Sequence, residues 1–249
     1  MKEGELILIL SKNSSYLVEA RKGKLSTKDG VFDLNKILKK KIGDKIKTHL
    51  KKEFRIVKPN LIDFLEKKAK RGPQIIMPKD AALILAYTGI SQGSSIVDVG
   101  TGSGFLAIFL ASYIKPGKVV SYEKDEKMVK IARKNVKIFG LSNFIKIKNK
   151  DAGKGIFEKN VDLVTLDIKN PERIIKHIYK ALKVGGWLVV YSPTIEEVIA
   201  VTKKIRELNF SYIKTVENIV REWRTEMTTR PKTIGIMHTG FITFARKIE

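Results

Sequence analysis

Ile96-Val97-Asp98-Val99-Gly100-Thr101-Gly102-Ser103-Gly104-Phe105 decides how the chain is read. An apolar run predicts a strand, a glycine-rich turn ends it, and the apolar periodicity from Phe105 to Tyr113 predicts the helix that follows. Glycines at 100, 102 and 104 let the backbone turn tightly and approach a ligand closely, and they present N–H groups at a helix N-terminus. A dinucleotide fingerprint, G-x-G-x-x-G, requires glycine at 105, where this chain has the bulky Phe105. The observed spacing is G-x-G-x-G with an acid, Asp98, ahead of it. Such a turn also occurs without a ligand, so the segments around it must decide.

Those segments repeat the strand-then-helix pattern. A second strand, 118–122, ends at Glu123, about 20 residues past the glycines, the distance at which an acid in nucleoside-binding α/β folds accepts from ribose hydroxyls. Glu123 is also readable as an ordinary acid before the helix expected over 128–139, since Asp125 and Glu126 enrich the same turn. A third strand, 144–149, leads to Asp151, and a fourth, 161–166, leads to Asp167. In an open parallel sheet, ligands gather outside the carboxyl ends of the strands, at the topological switch point. Asp167 is therefore expected where an acceptor substrate sits. Further elements are expected as helices over 79–88, 172–182 and 195–208, and as strands over 187–191, after the Gly185-Gly186 turn, 211–220 and 239–246. Seven strands with alternating helices predict an α/β, doubly wound sheet.

The glycine spacing with its preceding acid looks like motif I of the Rossmann-like methyltransferases, whose cofactor is S-adenosylmethionine. The resemblance sharpens over the whole chain. Residues 71–80 (RGPQIIMPKD), 97–104, 121–123 (SYE), 166–168 (LDI), 221–223 (REW) and 238–241 (HTGF) together resemble, in order, the tRNA (adenine-N1)-methyltransferases of the TrmI type, which make 1-methyladenosine in the T-loop. The resemblance implies a Rossmann-like seven-stranded methyltransferase sheet, its last strand antiparallel, with a small N-terminal β-rich domain. It implies that Gly100, Gly102, Ser103, Gly104, Phe105, Leu106, Glu123 and Asp151 line the cofactor site, with Asp151 taking the adenine amino group, and Gln74, Asp98 and Met128 are counted with them. It implies that Asp167 is the catalytic carboxylate and that Met77, Arg221 and His238 face the substrate.

Two departures stand out. The family usually has a tyrosine at the position of Met77, and a proline-aromatic pair where this chain reads Lys169-Asn170-Pro171-Glu172. Met77 is able to pack on a base through its polarizable thioether or simply to fill a pocket. Asn170-Pro171 is similar to part of the Asn-Pro-Pro-Tyr signature of amino-group methyltransferases, but the second proline and the aromatic are missing.

A carboxylate suffices for the expected chemistry. Adenine N1 has an available lone pair, and methylation leaves the ring positively charged. Asp167, accepting from the N6 amino group, would hold N1 in line and stabilise that charge. The three histidines, His49, His177 and His238, are not spaced as ligands and cysteine is absent, so no metal is expected. His177 falls in an expected helix and reads as structural, and His238 as a base or a backbone contact.

Charge points to a polyanion. The chain has 249 residues, 49 basic and 26 acidic, for a formal net charge of +23. Residues 1–79 hold 21 basic and 9 acidic residues, about twice the charge density of the rest. A lysine-rich surface of no specific role is the bland alternative; a nucleic-acid partner is the sharper one. Short apolar runs at 5–10, 15–20, 45–50 and 54–57, separated by turn signals, and a helix over 60–68 predict a small β-rich domain over 1–70, with the catalytic domain over 71–249. In the family the small domain helps hold tRNA. Lys39-Lys40-Lys41, Lys51-Lys52 and Lys67-Lys68 are candidates for phosphate contacts, which position without reading sequence. No signal peptide or spanning apolar stretch is seen, so a cytoplasmic protein with no membrane contact is expected, and the resemblance implies a homotetramer. Two other readings stay open: a methyltransferase of this fold with another acceptor, such as other RNA, a protein isoaspartyl residue or a corrinoid precursor, and an RNA-binding relative without turnover. Residues 221–237 are expected to form a long loop near the site or a subunit contact.

Overall fold

The computed structural model describes residues 1–70, 72, 75–225, 228–233, 235 and 238–249. The chain divides into two compact units, Met1–Ala69 and Lys70–Glu249.

The first unit is built on strands β1 (Leu6–Leu10), β2 (Ser15–Glu19), β3 (Lys24–Thr27), β4 (Gly30–Asp33), β5 (Lys45–Lys47) and β6 (Glu53–Val57), with helices α1 (Leu34–Leu38) and α2 (Leu61–Lys67). Four strands form an antiparallel sheet in the order β2-β1-β6-β5, and β3 and β4 form a separate hairpin. In β6 Phe54 and Ile56 turn inward while Glu53 and Arg55 face water, the period-two pattern of a sheet with one wet face. They join Ile7, Ile9, Phe32, Leu34 and Ile37 in one core, where Phe32 and Phe54 meet edge to face at 5.0 Å. The Asp29-Gly30 turn signal joins β3 to β4, a hairpin not expected from the sequence, and β5 is three residues long rather than the six expected over 45–50. Gly30 needs φ +111 there, and an added Cβ would lie 3.0 Å from the His49 ring. The helix α2 starts at a capping box, Asn60 and Asp63 each accepting from the other's backbone N–H.

The second unit holds α3 (Pro78–Thr88), β7 (Ser95–Val99), α4 (Phe105–Ile114), β8 (Lys118–Glu123), α5 (Glu126–Ile138), β9 (Ile145–Asn149), β10 (Val161–Leu166), α6 (Ile175–Ala181), β11 (Leu182–Ser192), α7 (Ile195–Arg206), β12 (Phe210–Glu217), a two-residue ribbon β13 (Trp223–Arg224) and β14 (Arg230–Pro231), and β15 (Phe241–Lys247). Seven strands form one sheet in the order β12-β15-β11-β10-β7-β8-β9. The pairings from β11 to β9 are parallel, and β15 runs antiparallel to both β11 and β12. The chain steps outward from β7 to β8 and β9, then returns to place β10 on the other side of β7. The carboxyl ends of β7 and β10 are thus the switch point.

Central strands are apolar on both faces because helices cover both. Val97, Val99, Val164, Leu166, Leu188 and Val190 pack with Ile175, Ile178, Val201 and Ile205. On α4, eight of ten residues are buried, which is why this helix reads as a continuous apolar run. Three boundaries of this unit differ by three residues or more from those expected. β11 begins at Leu182 rather than 187, because a bulge between the pairings Val161–Leu182 and Leu163–Trp187 absorbs Gly185 at φ +79 and lets the ladder resume. α6 is shorter than 172–182, since Pro171–Ile174 winds as a 3₁₀ turn first. β12 ends at Glu217 rather than 220. The stretch expected as a long loop over 221–237 contains the β13–β14 ribbon among its described residues.

Candidate active site at the switch point of the sheet

β7 ends at Val99 and the chain turns through three left-handed glycines, Gly100 (φ +84), Gly102 (φ +52) and Gly104 (φ +84), into α4. Gly100 is the position where glycine is obligatory. A Cβ there would lie 2.0 Å from the Asp167 carbonyl oxygen and 2.7 Å from Ile168 Cγ2. The backbone after β10 therefore closes directly onto the loop after β7, and the Asp167 N–H donates to Val99 O at 2.9 Å. This contact brings Asp167 and the glycine loop to one cleft, lined by Ile75, Ile76, Asp98, Gly100, Thr101, Gly102, Ser103, Phe105, Leu106 and Asp167.

Each acid at this edge is held differently. Asp98, buried in β7, accepts from Thr165 Oγ1 at 2.8 Å and Ser121 Oγ at 3.2 Å, so it ties β7 to β10 and β8 as well as facing the cleft. Burial raises its carboxyl above the usual range even against those hydroxyls. Glu123, at the end of β8, accepts from Gly102 N and Asp125 N, both at 2.9 Å, one on each oxygen. A carboxylate oxygen has two acceptor sites, so both oxygens keep one for a ligand hydroxyl. Asp151 follows β9 and caps a 3₁₀ turn, accepting from Gly153 N at 2.8 Å through Oδ1, which leaves its other oxygen exposed. Asp167 accepts no hydrogen bond among the described residues, and burial, with the charges of Asp98, Glu197 and Glu123, raises its carboxyl to about 7.

Several features of the loop fit an amino-acid and nucleoside ligand. Ser103 Oγ is buried with no hydrogen-bond partner. The N-cap residue of α4 is Gly104, which makes no side-chain cap, and the start of a helix is where backbone N–H groups favour a carboxylate. A Cβ at Gly72 would lie 3.5 Å from Met128 Sδ and 3.8 Å from Ser103 Oγ, so a glycine at 72 keeps the backbone close to this loop. Met128 is half-buried in the first turn of α5.

The residues expected on the substrate side lie elsewhere on the same edge. Met77 is the N-cap of α3, and the cleft wall from its segment is made by Ile75 and Ile76 instead. Arg221 is exposed, its guanidinium 5.9 Å from the Trp223 ring centroid. His238 Nδ1 lies 2.5 Å from Glu217 Oε1 and Nε2 lies 3.3 Å from Pro193 O. Glu217 raises its pKa, and both ring nitrogens are engaged, which suits a charged ring donating twice. Next to it, Lys79 Nζ donates to Asp80 Oδ1 (2.8 Å), Thr239 Oγ1 (2.8 Å) and Asn218 O (2.5 Å), and Thr239 Oγ1 donates to Asp80 Oδ2 (2.8 Å). Asp80 is fully buried, and Tyr191 donates its hydroxyl to Thr239 O. This network joins the start of α3 to the ends of β11 and β12, and no motif in the sequence announced it. Gln74 lies outside the described residues.

Ile75, Ile76 and Thr101 are the cleft residues that sequence reasoning did not single out. Apolar residues in a coil segment carry no chemical signature, and only the tertiary path brings 75–76 to the cleft.

A family model described as the tRNA methyltransferase complex GCD14 subunit matches residues 67–235. TrmI of Methanocaldococcus jannaschii, a tRNA (adenine(57)-N(1)/adenine(58)-N(1))-methyltransferase, is 35% identical, the match covering 96% of this chain and 94% of that protein. Among solved structures, a SAM-dependent O-methyltransferase from Thermotoga maritima aligns over all of this chain and 95% of its own at 35% identity, with a TM-score of 0.92. TrmI from Aquifex aeolicus, a tRNA (m1A58) methyltransferase, aligns over all of this chain and 99% of its own at 28% identity, with a TM-score of 0.85. With its glycine loop, its acids at the strand ends and these matches over nearly its full length, the chain belongs to the GCD14 family of tRNA methyltransferases.

Proposed function

We propose that this protein transfers a methyl group from S-adenosylmethionine to N1 of an adenine in the T-loop of tRNA. The observation that carries the reading is the Asp167 carboxylate, held against the glycine loop by the Gly100 contact and accepting no hydrogen bond among the described residues. The relatives named as tRNA (adenine-N1)-methyltransferases support the acceptor.

When bound, S-adenosylmethionine supplies an electrophilic methyl on a sulfonium. The backbone of Gly100, Gly102 and Gly104, the Ser103 hydroxyl and the start of α4 at Phe105 and Leu106 would hold its amino-acid end, Glu123 its ribose hydroxyls and Asp151 its adenine amino group, with Asp98 and Met128 at the cleft wall. Asp167 accepts from the N6 amino group of the target adenine, which aligns N1 and offsets the positive charge that grows on the ring. N1 has no proton to lose, so Asp167 acts ionised and is not consumed as a base. Its carboxyl at about 7 means that transfer falls as the pH drops below neutrality.

The basic unit over 1–69 would hold the tRNA, with Lys39–Lys41, Lys51–Lys52 and Lys67–Lys68 on phosphates. Among the described residues no helix is long and apolar enough to cross a membrane. A cytoplasmic homotetramer belongs to the same reading, and sedimentation of the purified protein tests the assembly.

The test of function is incubation with unmodified tRNA and methyl-labelled S-adenosylmethionine, then nuclease digestion and identification of the labelled nucleoside. Label in 1-methyladenosine mapping to the T-loop is expected. Label in a 2′-O-methyl nucleoside, the outcome that an oxygen acceptor would give, or label in protein overturns the reading.

A further inference from the structure

Beyond Asp167, the acceptor edge holds a second acid with no assigned role. β10 and β11 run side by side with Leu166 opposite Val190, so the turns that follow them are neighbours. α7 packs on the Pro171–Ile174 turn and on β11. Its first turn carries Glu197, whose backbone N–H donates to Thr194 Oγ1 at 3.4 Å and whose Oε2 is buried with no hydrogen-bond partner. Ser192, fully buried at the end of β11, also has an unpartnered hydroxyl. By strand alternation Ser192 points to the same face as Leu188 and Val190, which pack with Val201 and Ile205 of α7. The charge of Glu197 acts on Asp167, and among the described residues no lysine or arginine offsets the charge at either carboxyl.

Keeping two half-buried carboxyls with no donor to Asp167 or to Glu197 Oε2 among the described residues weakens the folded protein unless something arrives to donate. Among the described residues no group of three or more His, Cys, Asp or Glu is arranged to hold a metal ion, so a substrate N–H is the matching chemistry. We propose that Glu197 is a specificity-determining residue of the acceptor site, accepting the second N–H of the target adenine's exocyclic amino group while Asp167 accepts the first. The inference rests on the adenine-N1 reading above. The amino group of adenine has two hydrogens, one on the N1 side and one on the N7 side, so it is able to donate to both acids. A 6-oxo purine presents an acceptor to the same pair and is refused by repulsion as well as by loss of hydrogen bonds. Asp167 aligns N1, and Glu197 supplies the discrimination.

The test uses full-length protein and tRNA carrying either adenosine or N6-methyladenosine at the target position, the second having only one N–H. Wild-type protein is expected to favour adenosine by about 10–100-fold in kcat/KM, the loss that follows from one unpaired buried acceptor. Glu197→Ala is expected to lose about 10–100-fold on adenosine and little on N6-methyladenosine, so the ratio falls to within a few fold of one. Glu197→Gln, which keeps one carbonyl acceptor, is expected to recover most of the preference, with S-adenosylhomocysteine affinity as in wild type. Equal use of the two substrates by the wild type overturns the proposal whether or not any variant folds. An unchanged ratio in Glu197→Ala overturns it as well. Failure of the wild type to form 1-methyladenosine on any tRNA overturns the underlying acceptor reading instead, and is seen before a variant is made.

Discussion

Asp167 is an acid that the fold disfavours in its charged form. Its carboxyl lies at about 7 in the folded protein against an ordinary value of 3.8, so folding takes up a proton between those values. The contribution of Asp167 to stability is highest below pH 4, falls as the pH rises toward 7, and stays reduced above it. The full difference corresponds to at most about 4 kcal/mol, and partial exposure brings it to roughly 2–3 kcal/mol. Asp167→Asn is therefore expected to raise stability at pH 8 by that amount, read as a higher urea midpoint, and to flatten the fall between pH 4 and 7. The same variant is expected to lower methyl transfer by about 100-fold or more while S-adenosylhomocysteine affinity changes only a few fold. Equal loss of transfer and affinity would contradict the separation of roles. Ser103 makes the complementary case: its buried hydroxyl lacks a partner, so Ser103→Ala should stabilise the ligand-free protein by about 1 kcal/mol yet weaken S-adenosylhomocysteine binding. A melting curve with and without ligand reads both effects, and a variant that gains stability without losing affinity would take Ser103 out of the site. Glu123 and Asp98 were visible in the sequence as acids at strand ends, but their sharing between ligand and scaffold was not. Hydrogen bonds to Gly102 N, Ser121 and Thr165 come from segments 21, 23 and 67 residues away.

At the scale of elements, the switch point depends on one contact. Gly100→Ala puts a Cβ 2.0 Å from Asp167 O at a left-handed φ of +84, so either the loop after β7 or the one after β10 must move. A loss of about 3 kcal/mol or more is expected in urea unfolding, with methyl transfer falling further than S-adenosylhomocysteine affinity. A folded variant of unchanged midpoint would show that the contact does not constrain Asp167. The elements themselves were legible where local chemistry is strong. Pro78 at the first turn of α3 and Gly89 at φ +64 after it, the Asn60–Asp63 capping box of α2, and the period-two pattern of β6 all act within a few residues. Boundaries failed where tertiary packing overrode local signals. The bulge at Gly185 lets β11 start five residues before the position expected from the glycine turn, because β10 supplies a partner for Leu182. The Lys79–Asp80–Thr239 network joins residues about 160 apart, so no window of sequence displays it.

For the whole molecule, a net charge of +23 is an argument about partners and salt. tRNA affinity is expected to fall by about 100-fold or more between 50 and 200 mM salt, while S-adenosylhomocysteine affinity changes little. Replacing Lys39, Lys40 and Lys41 by glutamine should lower the slope of log affinity against log salt, by up to about 0.7–0.9 for each phosphate no longer neutralised. A slope equal to that of the wild type would remove these lysines from the RNA surface. Local spacing and period determined a great deal by themselves: the glycine turn between strand and helix, the alternation of strands and helices, the acids at strand ends, and the dense positive charge of the first 79 residues. Backbone preference and side-chain chemistry act over short distances, so these survive in one dimension. The tertiary structure alone decided which acids were left without donors. The chain marked Asp167 as the acid of the acceptor site but gave no sign of Glu197, and only the closing of 167 onto Gly100, with α7 laid beside β11 and the Pro171–Ile174 turn, leaves both half-buried with no hydrogen-bond donor to Asp167 or to Glu197 Oε2 among the described residues.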